Sequence, residues 1–517
     1  MNTIYSTTCT SRNKVDVEGL FTQGFSQFDG WIDEMCQQFL QSTDSCDNLN
    51  ISQLKMLFMD TNIPEKQIGM ADYLDDFQHN ILPHCSHLAS PTYIGHMTSP
   101  LPNFVNQLSR LVMILNQNMM KIESCRGLCF LERQVLGMLH QEVFGLDEKC
   151  YQQYVQHASY NFGCFTSGGT VANITAMWIA RNKMQNRSDN VQKKGIIIGS
   201  ELMHYSFDKA ADLLGLTLIR VPFDDHYQIS IPHLAEALNK AKQQQQPIVS
   251  LVAIAGTTDF GSVDPISDMA KLAQLHQAYL HVDGAWGGAM ILCEEGKVLL
   301  KNIEMADSVT IDGHKQLMTP IGCGILLTKD VDTLDEIRKE APYAIRSTSL
   351  DQGRFTLEGT RPAMALYLHA AFHLLGKDGF GELLSKSLNR AKMMAKMLEE
   401  TDEFELVHTP RMNLMVYRYL PVSYRGRTLT KEENENVSAF NVVLQKRQRA
   451  LGNTFVSRTK RVTNLYPDQP LVLFRAVMLN PLTTRSDIQT VLADQLVIAE
   501  NLEKEVQDKR IILGDYQ

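Results

Sequence analysis

The sequence predicts an α/β fold: a mostly parallel central sheet, a helical N-terminal segment and a small C-terminal α+β domain. Three observations carry that expectation. Between about residues 165 and 328, short β-branched apolar runs of strand length alternate with helical stretches. Those runs are continuously apolar, as in strands covered on both faces. Near Gly376 the pattern shifts to a smaller set of mixed helices and strands.

In chain order, residues 1 to about 90 read as polar and helical. Phe21, Phe25, Phe28 and Trp31 recur at helical spacing, and 51–58 reads as a short amphipathic helix. Packing, or a dimer-clasping arm, accounts for this segment. Residues 91–100 form a loop punctuated by Pro and Gly. From about Asn103 to Phe144 the chain is helical and rich in Leu, Met and Ile. Strands are expected at 195–199, 217–221, 248–255, 279–282, 308–311 and 324–328. Helices from Val171, over 204–214 and over 231–246 separate them. Asp264 and Pro265 read as the N-cap and first residue of a helix reaching about His276. Beyond residue 376, helices are expected at 382–400, 431–451 and 486–507. Strands are expected there at 404–407, 412–419, 454–457 and 471–478. The implied division is an N-terminal segment 1–90, a large α/β domain 91–375 and a small domain 376–517.

Composition limits the function classes. The 517 residues carry a formal net charge of −9, with 44% hydrophobic and 21% charged residues. That is ordinary globular composition, and it argues against a nucleic-acid footprint. Asp16 and Glu18 interrupt any secretory signal pattern, and no apolar run reaches membrane-spanning length. Ten cysteines are scattered along the chain. Reduced thiols are therefore expected rather than a disulfide frame. Cys125 and Cys129 lack a second ligand pair, so no zinc site is expected. A soluble cytoplasmic protein follows.

The chemistry concentrates at strand ends. Ser308–Ile311 is a buried run, broken by Asp312 and Gly313 and followed at once by His314 and Lys315. A lysine there is costly to bury unless its charge is used or suppressed. An imine with a carbonyl cofactor does both, because its formation needs the neutral amine. Ser167, Gly168, Gly169 and Thr170 sit where the chain turns into a helix. Free N–H groups at such a turn favour a small phosphate, and the glycines allow close approach. Neither a Walker loop nor a dinucleotide fingerprint is present. Asp283 closes the strand His281–Asp283, where a carboxylate can hold a pyridine nitrogen protonated. His204 follows another strand and could stack on a flat ring. Thr257, Thr258 and Asp259 follow a third. Each feature alone has a structural explanation. Together, in this order, they point to pyridoxal phosphate held through Lys315.

The ordered set resembles the group II pyridoxal-phosphate-dependent amino-acid decarboxylases over roughly residues 85 to 500. The set is Thr-Ser-Gly-Gly-Thr at 166–170, His204, Gly-Thr-Thr at 256–258, His-Val-Asp-x-Ala-Trp-Gly-Gly at 281–288 and His-Lys at 314–315. Segments 95–99, 115–123, 131–137 and 356–361 resemble bacterial members that act on aspartate. The resemblance implies a fold-type I pyridoxal-phosphate enzyme, a homodimer with shared active sites. It implies that Lys315 carries the cofactor, Asp283 meets the ring nitrogen and His204 stacks on the ring. Ala285 would pack on the other face. Gly168, Gly169 and Thr170 would hold phosphate with His314 nearby, and Thr258 would lie beside the cofactor. Arg475 would meet a substrate carboxylate, and His96 would line that pocket. The implied reaction removes the α-carboxylate of an acidic L-amino acid, L-aspartate giving β-alanine. L-glutamate, 2,4-diaminobutyrate and cysteine sulfinate are the alternative substrates. Transamination and a cofactor-free interaction protein on the same scaffold are the alternative functions. Two departures stand out. Asp312-Gly313 replaces the Asn-Pro of many members, putting an acid near the phosphate. Tyr343 alone is available between 330 and 360 as a proton-donating tyrosine.

Overall fold

The computed structural model describes residues 28–42, 51–186, 193–341 and 349–508. Phe21, Phe25 and Tyr343 lie outside them. The chain forms two compact units. One comprises His96–Arg418 and Thr459–Pro481; the other comprises the segment up to Gly95, Tyr419–Arg458 and Leu482 onward.

The first unit is built on a seven-stranded sheet. Its strands are β1 (Gly163–Thr166), β2 (Ile196–Ser200), β3 (Thr217–Val221), β4 (Ile248–Ile254), β5 (Tyr279–Asp283), β6 (Ser308–Asp312) and β7 (Gly324–Thr328). They lie in the order β1-β7-β6-β5-β4-β2-β3. Only β7 runs against its neighbours. Every residue of β1, β2, β5, β6 and β7 is buried, which is why these strands read as continuous apolar runs. The carboxyl ends of β1, β2, β4, β5 and β6 share one edge. A crevice at that edge is where open α/β sheets place ligands.

Helix Gly169–Asn186 springs from that edge and buries Ala172, Ile174, Ala176, Met177, Ile179 and Ala180. A second, antiparallel sheet has the order β10-β11-β9-β8. Its strands are β8 (Phe404–Leu406), β9 (Leu414–Tyr419), β10 (Ser457–Thr463) and β11 (Tyr466–Val477). In the second unit, helices Lys431–Leu451 and Arg485–Gln507 each start with a capping box, Thr430 with Glu433 and Thr484 with Asp487. Arg447 and Glu505 join them in a two-pronged ion pair at 2.9 and 2.6 Å.

Three expectations need correction. Asp264 caps no helix: the helix starts at Ile266 with Pro265 before it. The Asp264 carboxylate instead accepts the N–H groups of Ile229 and Ile254, at 2.7 and 2.8 Å, tying two strand ends together. The strand expected at 454–457 lies later, at Ser457–Thr463. Its alternating exposed charges hid it from an apolar-run reading. The helix expected from residue 382 starts earlier, taking in the glycines from Gly376 to Gly381 as part of Gly376–Glu399.

Two buried ionic features set stability. Glu132 and Arg361 form a bidentate pair with both side chains enclosed. Removing one partner of such a pair leaves a bare buried charge. Arg361→Ala is expected to lower stability by about 3–5 kcal/mol, read by urea titration. His140 is enclosed, with its ring nitrogens on the Tyr151 hydroxyl and the Thr328 carbonyl. Burial pulls its pKa down to about 4. The folded state therefore binds fewer protons than the unfolded chain between that value and the ordinary 6.5. The stability this histidine contributes is whole above pH 6.5 and drains as pH falls toward 4. Acidifying from pH 6.5 to 5 should cost about 2 kcal/mol through His140 alone. His140→Gln, which cannot take up that proton, should flatten the acid limb of the urea-midpoint profile by that amount.

Candidate active site

A cavity of about 330 Å³ opens at the carboxyl edge of the main sheet. All nine residues expected to hold a cofactor line it. At one end, β1 turns through Ser167 and Gly168 into the helix starting at Gly169. The first-turn N–H groups of a helix have no intrahelical partner and favour an anion. The Ser167 N–H is given to the Glu358 carboxylate at 2.9 Å, which leaves the Gly169 and Thr170 N–H groups to face the cavity. The glycine at 169 is required by space. A Cβ there would stand 2.8 Å from Asp312 Oδ2 and 3.0 Å from the Ala285 methyl. His314 approaches the same turn and gives its Nδ1–H to the Cys323 carbonyl at 2.9 Å.

Lys315 follows β6 directly. Its Nζ lies 2.9 Å from Asp312 Oδ2. Asp312 is 3% exposed, and its Oδ1 has no hydrogen-bond partner among the described residues. The acid that departs from the Asn-Pro pattern is thus the ion-pair partner of the lysine. His314 Nε2 is farther from it, at 3.8 Å. Gln316 anchors the next residue of the loop, donating to the Trp286 carbonyl at 2.7 Å and accepting from Asn413 at 2.9 Å.

Asp283 ends β5 almost wholly buried. Oδ2 accepts from Asn173 Nδ2 at 3.0 Å and Oδ1 from the Ala285 N–H at 3.2 Å. Burial pushes this carboxyl above its ordinary range, and the Lys315 charge and the Ala285 N–H pull it back. His204 lies past the end of β2. Its Nδ1 accepts the Ser206 N–H at 3.2 Å, so the proton of the neutral ring sits on Nε2. Burial lowers the His204 pKa and keeps the ring neutral against the opposing pull of Asp283.

Arg475 and His96 do not line this cavity. Arg475, on β11, donates to the carbonyl of the cavity residue Thr258 at 3.3 Å. Burial lowers its pKa and nearby Asp259 opposes that shift. The Asp259 carboxylate is itself held by Arg461 at 2.6 Å. His96 hydrogen-bonds Thr98 at 3.0 Å. Burial, then the charges of Arg475 and Lys315, lower its pKa.

Sequence reasoning gave no role to Asn173 and His281, and it placed Asp312 by the phosphate rather than with the lysine. Asn173 and His281 hold the Asp283 region from behind. The available signal for Asn173 was a lone amide on an otherwise apolar helix face. For His281 it was a histidine inside a buried strand.

These residues fit pyridoxal phosphate. The turn at 168–170 offers backbone donors with no room for a side chain at 169, the anchored lysine offers the amine, and the buried Asp283 offers an acceptor for a ring N–H. Comparison with known proteins agrees. Residues 52–420 match the pyridoxal-dependent decarboxylase conserved domain. Aspartate 1-decarboxylase of Aliivibrio fischeri is 35% identical over 497 residues, 91% of each chain. L-2,4-diaminobutyrate decarboxylase of Rhizobium meliloti is 28% identical, covering 76% of this chain and 78% of its own. The crystal structure of mouse CSAD in its apo form superposes with a TM-score of 0.81 at 22% identity. It covers 94% of this chain and 99% of the mouse chain, and shows a shared fold. The chain belongs to the pyridoxal-dependent decarboxylases, and it is an enzyme that uses pyridoxal phosphate to decarboxylate an amino acid.

Proposed function

We propose that the substrate is an acidic L-amino acid, foremost L-aspartate, converted to β-alanine and carbon dioxide. The observation that carries this is Arg475: a largely buried guanidinium anchored on the backbone of a cavity residue. A planar fork of donors suits a side-chain carboxylate. The 35% identity to an aspartate 1-decarboxylase over 91% of each chain ranks aspartate first. L-glutamate comes next, because one methylene is weakly read by a pocket.

When bound, the cofactor supplies an aldehyde for covalent attachment to an amine and a ring that accepts the electrons left by the departing carboxylate. The chain's own residues do the rest. Lys315 gives the amine. The Gly169 and Thr170 N–H groups, with His314 beside them, hold phosphate. Asp283 holds a proton on the ring nitrogen. Neutral His204 and the Ala285 methyl would pack against the ring. His96, whose pKa burial and the Arg475 charge lower, would stand outside the cofactor cavity on the substrate side.

Carbon dioxide release from aspartate, glutamate, 2,4-diaminobutyrate and cysteine sulfinate tests the assignment. The expected result is the highest kcat/KM with aspartate and β-alanine as product. Turnover confined to cationic or aromatic amino acids would overturn it.

We further propose a cytoplasmic homodimer. The helix Asn103–Leu115 leaves Leu111, Met113, Ile114 and Leu115 substantially exposed, a row of apolar residues suited to burial against a second copy. The eight described cysteines are all free thiols, in keeping with a reducing compartment. Among the described residues, no helix is long and apolar enough to cross a membrane. Ile114→Glu is expected to shift the chain from dimer to monomer in light-scattering chromatography.

A further inference from the structure

We propose that Asn173 and His281 are positioning residues for Asp283, joined in a buried series Ser308–His281–Asn173 that fixes the Oδ2 atom of that carboxylate. The inference rests on Asp283 being the partner of the ring nitrogen.

The series is enclosed from end to end: Asn173 is 1% exposed, and His281 and Ser308 are 0% exposed. Its polarity follows from donor and acceptor counting. Asp283 Oδ2 only accepts, so the group 3.0 Å from it must be the Asn173 amide nitrogen. The Asn173 oxygen therefore faces His281 Nε2, at 3.0 Å, and that nitrogen must carry hydrogen. Burial pulls the His281 pKa down to about 3, so the ring is neutral and its Nδ1 accepts. The Ser308 hydroxyl, 2.8 Å away, is the donor. Thr310 Oγ1, 3.4 Å from Nε2, can share that hydrogen.

Each member thus has one role, and none carries charge. That matters for Asp283. An arginine or lysine at the position of Asn173 would neutralise the carboxylate. An amide dipole orients it and leaves its negative charge for a cationic N–H. The other titratable groups facing Asp283 are His204, Lys315 and Asp312. Asn173 reaches one of these as well. Its Nδ2 also donates to Ser206 Oγ at 3.0 Å, and the Ser206 N–H holds His204 Nδ1. One amide therefore ties the acceptor of the ring nitrogen to the segment that presents the ring-facing histidine. A merely structural polar cluster would not need one amide shared between Asp283 and the serine that holds His204.

The test has two arms. In the first, 15N-histidine spectra of the wild-type protein, assigned by comparison with His281→Gln, should show His281 neutral with hydrogen on Nε2. Hydrogen on Nδ1, or a cationic ring at neutral pH, would overturn the proposal. In the second, the holoenzyme is reconstituted with ring-15N pyridoxal phosphate, whose nitrogen shift reports its protonation. Asn173→Ser and His281→Phe should lower the protonated fraction and weaken cofactor binding by about 10- to 100-fold, the worth of one hydrogen bond to a charged group. His281→Gln, whose amide donor can stand where Nε2–H stood, should restore both. Asp283→Asn separates the layers. If it leaves the ring nitrogen protonated, the role given to Asp283 fails. If it deprotonates the ring while Asn173→Ser and His281→Phe do not, only the positioning role fails. Should those two variants not fold, the wild-type tautomer decides alone.

Discussion

Borohydride treatment of Lys315→Ala holoenzyme should fix no cofactor to the chain, and kcat/KM should fall by at least about 10³-fold. The wild-type protein should yield one pyridoxyl-modified peptide, at Lys315. Among the described residues Lys315 is the single lysine lining the cavity, and its loop is held on both sides by Asp312 and Gln316. Lys315→Arg should not rescue activity, because a guanidinium is never neutral in this pH range and so cannot serve as the amine nucleophile. A label on another lysine of active protein would refute the assignment. The ion pair adds a second readout, independent of turnover. Lys315→Ala strips Asp312 of its cation while Oδ1 already lacks a hydrogen-bond partner among the described residues. The cofactor-free protein should lose about 1–3 kcal/mol, a range that allows for the partial exposure of the lysine. Lys315→Ala combined with Asp312→Asn should recover most of it, because the buried position then holds no charge. An additive double mutant would show that the two side chains do not interact in solution.

What the sequence made legible, and what it did not, divides along physical lines. The strands of the main sheet were readable because both faces are covered, so β-branched residues run together at 196–198 and 309–311. The residues lining the cavity were readable because strand ends in such a sheet converge on one edge. Lys315, Asp283, His204 and the turn at 168–170 could be placed together from spacing alone. Three features were not legible. β10 is an edge strand whose charges alternate with partly buried positions, so no apolar run marks it. Asp264 stands before a proline at a helix start, the local pattern of a cap, yet its carboxylate bonds Ile229, 35 residues away. That pairing is tertiary, and local propensity carries no trace of it. Asn173 is the third. Its meaning depends on His281 and Asp283, which lie 108 and 110 residues farther along. The Asp312 departure was visible, but its consequence was not. The sequence put an acid near a phosphate turn, whereas the fold pairs that acid with the lysine.

Arg475→Ala is expected to lower kcat/KM for aspartate by about 10²- to 10³-fold, the cost of removing one member of a buried charge pair. Most of the change should lie in KM. Anchored on the backbone of Thr258, Arg475 is expected to bind the substrate's far end equally in ground and transition states. An uncharged analogue of similar length, 2-aminobutyrate, cannot use the guanidinium, and its kcat/KM should change little. The difference between the two substrates is the signature. An equal fall for both would show Arg475 to be structural. Arg475→Lys should do better than alanine and worse than wild type, since a point charge replaces a planar fork. Asp259 is the acid that acts on Arg475, and it also holds Arg461 at 2.6 Å. Burial and the charges of Arg475 and Lys315 favour the neutral form of His96. His96→Ala should cost less than Arg475→Ala, by about tenfold, because it removes one neutral hydrogen bond in place of an ionic one.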